Sequence, residues 1–483
     1  MNVSQPEPPV VDSAEIALVV DLDGTLCKTD TLHEGLLAIV AARPQTLFKL
    51  PKWLSEGRAG FKARLADQTI VAPDELPLNE GVIELVKAAK SEGRRTALVS
   101  AADHRQVTAV AEATGLFDEA YGSAEGTNLK GAEKASFLNQ HYGSKMYDYV
   151  GDSDADVPVW HAARRAISVR ARPGLRQALE ASNANAHHID PPEGQGKAML
   201  RALRPHQWSK NLLMFIPMLA AHDASGVLSV VLGFIAFCLT ASSVYVINDL
   251  LDLAADRAHP RKRLRPFAAG DLSLATGAKM FAGLVTGALV FSLLSGSGLF
   301  MLSLLVYFIA TFAYSVWLKR KLIADVLTLA GLYTIRILAG GAAASVVLSP
   351  WILGFSMFLF LALAAVKRHA ELTDQLASGR QSVGRAYTVD DIPVVRGIGL
   401  SASQAATLVL ALYISSDAVQ ELYSTPYILW LICPIVLYWS LRMVTKAHRG
   451  SMTDDPIVFA TTDLPSLLLI LTCAALGVLA AVI

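Results

Sequence analysis

Asn248, Asp252 and Asp256 recur at every fourth position directly after a long apolar run, Val227 to Ile247. If that run is a helix that continues, the three side chains share one face. Three oxygen side chains stacked at a membrane boundary repel one another unless a hard cation holds them. Mg2+ takes a few carboxylates and leaves positions open for phosphate oxygens. Arg257, Arg261, Lys262, Arg263 and Arg265 follow at once. Acids for Mg2+ beside bases for phosphate suit a substrate that bears pyrophosphate. A basic cytoplasmic loop would account for the arginines but not for the spaced acids.

A second group of acids stands near the N-terminus. Ile16 to Val20 reads as a buried strand and ends in Asp21-Leu22-Asp23-Gly24-Thr25-Leu26. Thr96 to Val99 reads as another strand and ends at Ser100, and Tyr147 to Val150 leads into Gly151-Asp152-Ser153-Asp154-Ala155-Asp156. Lys130 and Lys134 lie between them, Lys134 opening a helical run to His141. Acids and a Gly turn at the C-terminal end of a strand are where open α/β sheets place their sites. Ala166 to Val169 and His187 to Asp190 would complete the sheet, with His187-His188 at its edge and not a metal pair.

The elements that must position these residues are of two kinds. The 483 residues are 53% hydrophobic and 17% charged with zero net charge, but the averages hide a split near residue 200. The sequence is mixed before that point, and apolar runs near the length of a bilayer crossing dominate after it. Cys27, Cys238, Cys433 and Cys473 are too dispersed for a disulfide framework or a zinc site. The polar, Pro-rich N-terminus does not read as a signal peptide, and no nucleic-acid partner is expected.

Apolar spans are expected at about 211–221, 227–247, 276–296, 298–318, 322–347, 351–366, 396–414, 426–444 and 464–483, the first and sixth being short. The charged connections are 248–275, 319–321, 367–396 and 446–463, whereas the alternate ones lack Lys and Arg. Basic loops stay inside, so the N-terminal half and the Asp-rich stretch are expected in the cytoplasm and the C-terminus outside, in an inner or plasma membrane.

The run from Asn248 to Asp256 resembles the first Asp-rich motif of the UbiA superfamily of intramembrane prenyltransferases. His259-Pro260, Lys262, Arg265-Pro266 and Ala268-Ala269-Gly270 are closer to one branch, the polyprenyl-phosphate (decaprenyl-phosphate) phosphoribosyltransferases, as is the opening Arg204-Pro205-His206-Gln207-Trp208-Ser209-Lys210-Asn211. The second Asp-rich motif usual in the superfamily is absent. Lys367-Arg368-His369-Ala370-Glu371-Leu372 stands in its place, similar to a run of that branch. The resemblance makes Arg204, Lys210, Asn211, Arg257, Lys262, Arg263, Arg265, Lys367, Arg368 and Glu371 candidate substrate contacts. Tyr333 and Arg336 join them, because an Arg inside an apolar span is costly and usually functional. Asp325 is the nearest acid in the span of Arg336, and Asp454-Asp455-Pro456 and Asp463 form a last acidic loop with no assigned role.

The N-terminal motifs resemble, in order, those of the haloacid dehalogenase superfamily. That resemblance implies Asp21 as the nucleophile, Asp23 as the general acid/base, and Ser100 as a phosphoryl contact. It implies a lysine from Lys130 or Lys134, with Lys134 preferred. Mg2+ would lie at Asp21, Asp23 and Asp152, with Asp156 in support. Residues 31–80 would be a small helical cap, with cationic positions Lys49, Lys52, Arg58, Lys62 and Arg64, and with Trp53 in its core.

The expected architecture is therefore a Rossmann-like α/β domain at 1–190 with a small helical cap, a linker at 191–200, and an all-α polytopic membrane domain of about nine helices at 201–483. The resemblance implies Mg2+-dependent transfer of 5-phosphoribose from phosphoribosyl pyrophosphate to a polyprenyl phosphate, with Asp252 at its catalytic centre. The first domain would then dephosphorylate the product. The alternative is transfer of a prenyl chain from its diphosphate to an aromatic or other acceptor, with a separate or regulatory phosphatase.

Overall fold

The computed structural model describes residues 16–483 except 56, 70, 125–127, 183–184, 191–193, 380–385 and 453–454. Asp454 and the first linker residues of the sequence reading lie outside that set, as do the side chains of Arg58 and Lys62. The chain forms two compact units: the described residues of Met1–Leu203 with Val246–Met280, and Arg204–Tyr245 with Phe281–Ile483. The expected limits run along the chain, whereas the first unit also takes in the loop that carries the Asp-rich stretch.

The first unit is built on six parallel strands: β1 (Ala17–Val20), β2 (Thr96–Asp103), β3 (Glu119–Ser123), β4 (Tyr147–Gly151), β5 (Arg165–Val169) and β6 (His187–Ile189), in the order β3-β2-β1-β4-β5-β6. Alternation along β1 sends Leu18 and Val20 into one apolar layer and Ala17 and Val19 into the other. Both faces of β1 are thus covered, as a parallel sheet requires. The chain leaves β1 toward β2 and β3, then returns to the other side of β1 as β4. Open α/β sheets bind ligands at the strand ends beside such a reversal, and Asp21 and Asp152 stand there. The cap region is helical: α1 (Thr31–Ala42), α2 (Leu50–Ser55) and α3 (Gly57–Gln68), with Trp53 buried.

Among the described residues, eight helices are long and apolar enough to cross a membrane, close to the nine expected. The remaining apolar segment is not a long α-helix. It is a 3-10 stretch at Pro205–Phe215 continued by a short α-helix at Ile216–Ala220. Their rises sum to about 30 Å, close to a bilayer's hydrocarbon thickness. The helix expected at 351–366 is longer, Pro350–Ser378, so Lys367, Arg368 and Glu371 ride on it and not on a loop beyond it. The apolar signal stops at Lys367, but nothing in the following residues breaks a helix until Gly379, which closes it at φ 65°.

Candidate active sites

The turn after β1 is fixed by geometry that only glycine meets easily. Gly24 has φ +76°, and a Cβ there would run into the Asp152 carboxylate. The Asp21 N–H donates to the Val150 carbonyl of β4 at 2.9 Å, which holds the two acid-bearing strand ends together. Lys134, on the helix Ala132–His141, reaches in with its buried ammonium, donating to Asp21 at 3.0 Å and to the Tyr149 hydroxyl at 2.8 Å. Tyr149 donates in turn to Asp156 at 2.7 Å, and the same carboxylate accepts from the N–H groups of Asp152 and Ser153. The structure therefore places Lys134 at the site and Lys130 on the exposed surface. Ser100 is buried within β2, which runs on to Asp103 beyond the expected end at Val99, and its hydroxyl accepts from the Ala102 N–H at 3.2 Å. The Asp23 carboxylate turns toward the cap and accepts from the Thr31 N–H, at the start of α1, at 2.7 Å. The cleft beside it is lined by Asp30, Thr31, Thr69, Asp103 and Gln106.

The electrostatics of this pocket suit a cation. Carboxylate oxygens of Asp21, Asp152 and Asp156 lie within 4.8 Å of one another. Burial raises the Asp21 carboxyl, although Lys134 opposes it. Burial, reinforced by the charges of Asp21 and Asp156, raises Asp152 to about 8. Burial, reinforced by Asp30, raises Asp23 to about 7. One ammonium does not balance these acids, and an all-oxygen donor set fits a hard divalent ion.

The Asp-rich stretch of the same unit is nearly the continuous helix expected. The helix Val227–Leu251 pauses at Asp252, and a short helix resumes over Leu253–Arg257. The bonds Asp252 N–H to Asn248 O and Asp256 N–H to Asp252 O, at 2.9 and 2.8 Å, carry the register across the pause. Asn248, Asp252 and Asp256 thus stay one turn apart. Asp249 belongs with them and was not singled out from sequence: the Arg265 guanidinium bridges Asp249 at 3.1 Å and Asp256 at 2.6 Å. The spacing from Asp249 to Asp256 is two helical turns, a signal that could have found it. Lys262 and Arg263 are exposed. Arg257 is not: its guanidinium meets Glu34 of α1 at 2.6 and 3.1 Å and the carbonyls of Glu75 and Ala268.

In the second unit the cations gather around few acids. Lys210 pairs with Asp455, and Lys367 lies 3.8 Å from the same carboxylate oxygen. The other Asp455 oxygen caps the helix Pro456–Ala460, so the carboxylate is fixed in direction. The buried Arg336 donates to Asn211 at 2.9 Å, to the Tyr307 hydroxyl at 3.1 Å and to the Leu332 carbonyl, and stands over the rings of Phe237, Tyr307 and Tyr333. Arg204 lies over the Tyr245 ring at 4.9 Å. Asp325 goes elsewhere than to Arg336. Eleven residues of helix separate the two by about 16 Å of rise, and Asp325 instead forms a buried ion pair with Arg368 at 2.6 Å and accepts from Tyr314 at 2.9 Å. Arg368 also pairs with Glu371.

Comparison with known proteins adds to this geometry. Residues 212–459 match the UbiA prenyltransferase family, and residues 18–161 match the haloacid dehalogenase-like hydrolases. The protein y4nM of Sinorhizobium fredii is 37% identical over 457 residues, covering 93% of this chain and 88% of its own. The nodulation protein NoeC of Azorhizobium caulinodans is 38% identical over 56% of this chain and 90% of its own. Decaprenyl-phosphate phosphoribosyltransferase of Mycolicibacterium smegmatis is 39% identical over 189 residues, covering 38% of this chain and 59% of its own.

Proposed function

This chain belongs to the UbiA prenyltransferase family and joins to it a haloacid dehalogenase-like phosphatase domain, and from that premise we propose that it makes polyprenyl-phosphoryl ribose in two steps. The membrane part moves 5-phosphoribose from phosphoribosyl pyrophosphate to a polyprenyl phosphate, and the phosphatase removes the 5-phosphate. The observation that carries the reading is the charge of the second unit. Lys210 and Lys367 lean on the single carboxylate of Asp455, while Arg336 is held by neutral oxygens and aromatic rings. Buried positive charge without matching acids favours anionic reactants; here both reactants are anions, whereas prenyl transfer to a neutral aromatic acceptor supplies only one. The similarity to decaprenyl-phosphate phosphoribosyltransferases points the same way.

In this reading Asn248, Asp252 and Asp256, with Asp249, would hold Mg2+ for the transfer, and Asp21 and Asp152, with Asp156 supporting, would hold it for the phosphatase, while Asp23, turned toward the cap, stays outside that cluster. Bound Mg2+ would screen the negative charge of phosphate oxygens at both places. An oxygen of the lipid phosphate forms the bond to ribose C1 as pyrophosphate leaves. Lys210, Lys367 and Arg336, with Arg204, Lys262, Arg263 and Tyr333, bind and orient the anions. The Asp21 carboxylate then forms a bond to the phosphorus of the 5-phosphate. The ribose 5-oxygen leaves with a proton from Asp23, whose raised carboxyl holds one near neutral pH. Water, activated by the ionised Asp23, cleaves the aspartyl phosphate. Both centres face the cytoplasm, where phosphorylated sugars are found.

The test is a membrane assay with labelled phosphoribosyl pyrophosphate and polyprenyl phosphate, followed by lipid extraction. Label should enter the lipid in the parent and fall by about three orders of magnitude in Asp252→Ala, the several kcal/mol that metal screening of a leaving group supplies. Label absent from the parent's lipid, with a prenyl diphosphate consumed instead, would replace this reading with prenyl transfer.

A further inference from the structure

Glu34 and Arg257 are 223 positions apart, yet they form a bidentate, buried ion pair inside one compact unit. Each end of the pair sits on an element that borders a different acidic site. Glu34 lies in the first turn of α1, whose opening N–H, that of Thr31, holds the Asp23 carboxylate. Its Oε1 also accepts from Thr29 at 2.7 Å, on the loop that runs back to Asp23. Arg257 is the chain neighbour of Asp256, which Arg265 joins to Asp249. All three guanidinium nitrogens of Arg257 are occupied, by Glu34, Glu75 O and Ala268 O. That occupation takes Arg257 away from a direct role on substrate phosphate. The same loop is tied down further along: Arg170 donates to the Gly270 carbonyl at 2.7 Å, and Arg201 pairs with Asp271 at 2.7 Å. Gly270, at φ +71°, lies so close that a Cβ would stand 2.7 Å from the Lys28 side chain.

We propose that the Glu34–Arg257 pair is a positioning device shared by the two active sites, setting the cap helix that holds Asp23 and the turn that holds Asp256 with one buried contact. The proposal rests on reading Asp21 and Asp23 as a phosphatase centre and Asp256 as part of the transferase centre. A mere staple would add stability and carry nothing between them. A shared positioning pair passes occupancy from one site to the other, and by thermodynamic linkage it does so in both directions.

Hydrogen exchange of the full-length protein in detergent separates these cases. Orthovanadate, a tetrahedral mimic of phosphate, is added as the phosphatase-site probe. In the parent it should slow amide exchange at Leu22–Thr25 and, through the pair, at Leu253–Arg265, by about tenfold, a coupling typical of communicating sites. Glu34→Gln keeps the shape and the bond to Thr29 but loses the charge. It should retain the response at Leu22–Thr25 and lose it at Leu253–Arg265. Arg257→Lys, which keeps the charge but not the fork, should do the same, and serves if the first variant folds poorly. A parent that responds at Leu22–Thr25 but not at Leu253–Arg265, or variants that transmit as the parent does, would overturn the proposal. Phosphoribosyl pyrophosphate with Mg2+ forms the reverse arm, read at Thr31–Ala42. If vanadate transmits and this donor does not bind, the pair stands and the donor assignment falls.

Discussion

Asp21, Asp23, Asp152 and Asp156 crowd around one buried ammonium, that of Lys134, and the imbalance has a thermodynamic signature. The Asp23 and Asp152 carboxyls are raised to about 7 and about 8 from an ordinary 3.8. Between those limits the folded protein keeps protons that the unfolded chain has lost. Without a divalent ion, stability should therefore fall as pH rises from about 4 to about 8 and level off above. A cation binds the ionised acids, so Mg2+ should raise the melting temperature more at pH 8 than at pH 5. Asp152→Asn should weaken both the slope and the Mg2+ response. Thermal unfolding with and without Mg2+ at the two pH values checks this, and an equal Mg2+ shift at both would count against a shared ion at these carboxylates. The same residue scale shows what sequence could not settle. The helical run favours Lys134 over Lys130 in sequence, but spacing and type alone do not fix reach; the helix starting at Ala132 turns Lys134 inward.

At the scale of elements, the helix Pro350–Ser378 carries cations with different surroundings. Lys367 shares Asp455 with Lys210, whereas Arg368 is enclosed with Asp325 and Glu371. Arg368→Met strands Asp325 in the interior and should cost about 3–5 kcal/mol of stability, the usual penalty for removing one partner of a buried pair. Denaturant unfolding of the detergent-solubilised protein measures it; a loss below about 1 kcal/mol would show that the pair is well hydrated. Much of this architecture was legible beforehand. Five of the six strands among the described residues are read from sequence, four of them within a residue of their observed limits, whereas β2 runs on through Ser100-Ala101-Ala102-Asp103 past the expected end at Val99. β3 is missed, because Glu119–Ser123 is only half-buried and carries no apolar pattern. Hydropathy located the long spans but misjudged two ends: it stopped at Lys367, where the helix continues, and it could not show that Pro205–Phe215 winds as a tighter, longer-reaching 3-10 helix. Glu34 escaped for another reason: it gains its meaning from Arg257, and a contact across 223 positions leaves no local periodicity.

At the scale of the molecule, the eight long spans among the described residues and the Pro205–Ala220 segment give an odd number of crossings if that segment also traverses the bilayer. A reporter fused at the N-terminus should then read cytoplasmic, and one at the C-terminus should read the opposite side. Both ends on one side would mean that the 3-10 segment enters and returns. A chain that holds two chemistries also predicts the order of its products. Asp21→Asn keeps the shape of the carboxylate but cannot accept the phosphoryl group, and Asp21 is remote in sequence from the Asp-rich stretch. The most direct test of the two-step account is the lipid profile of this variant, with labelled phosphoribosyl pyrophosphate, polyprenyl phosphate and no competing phosphatase. The account predicts that Asp21→Asn accumulates polyprenyl-phosphoryl ribose still bearing its 5-phosphate, identified by charge and mass, while the parent yields the dephosphorylated lipid. The same profile from both proteins would contradict it.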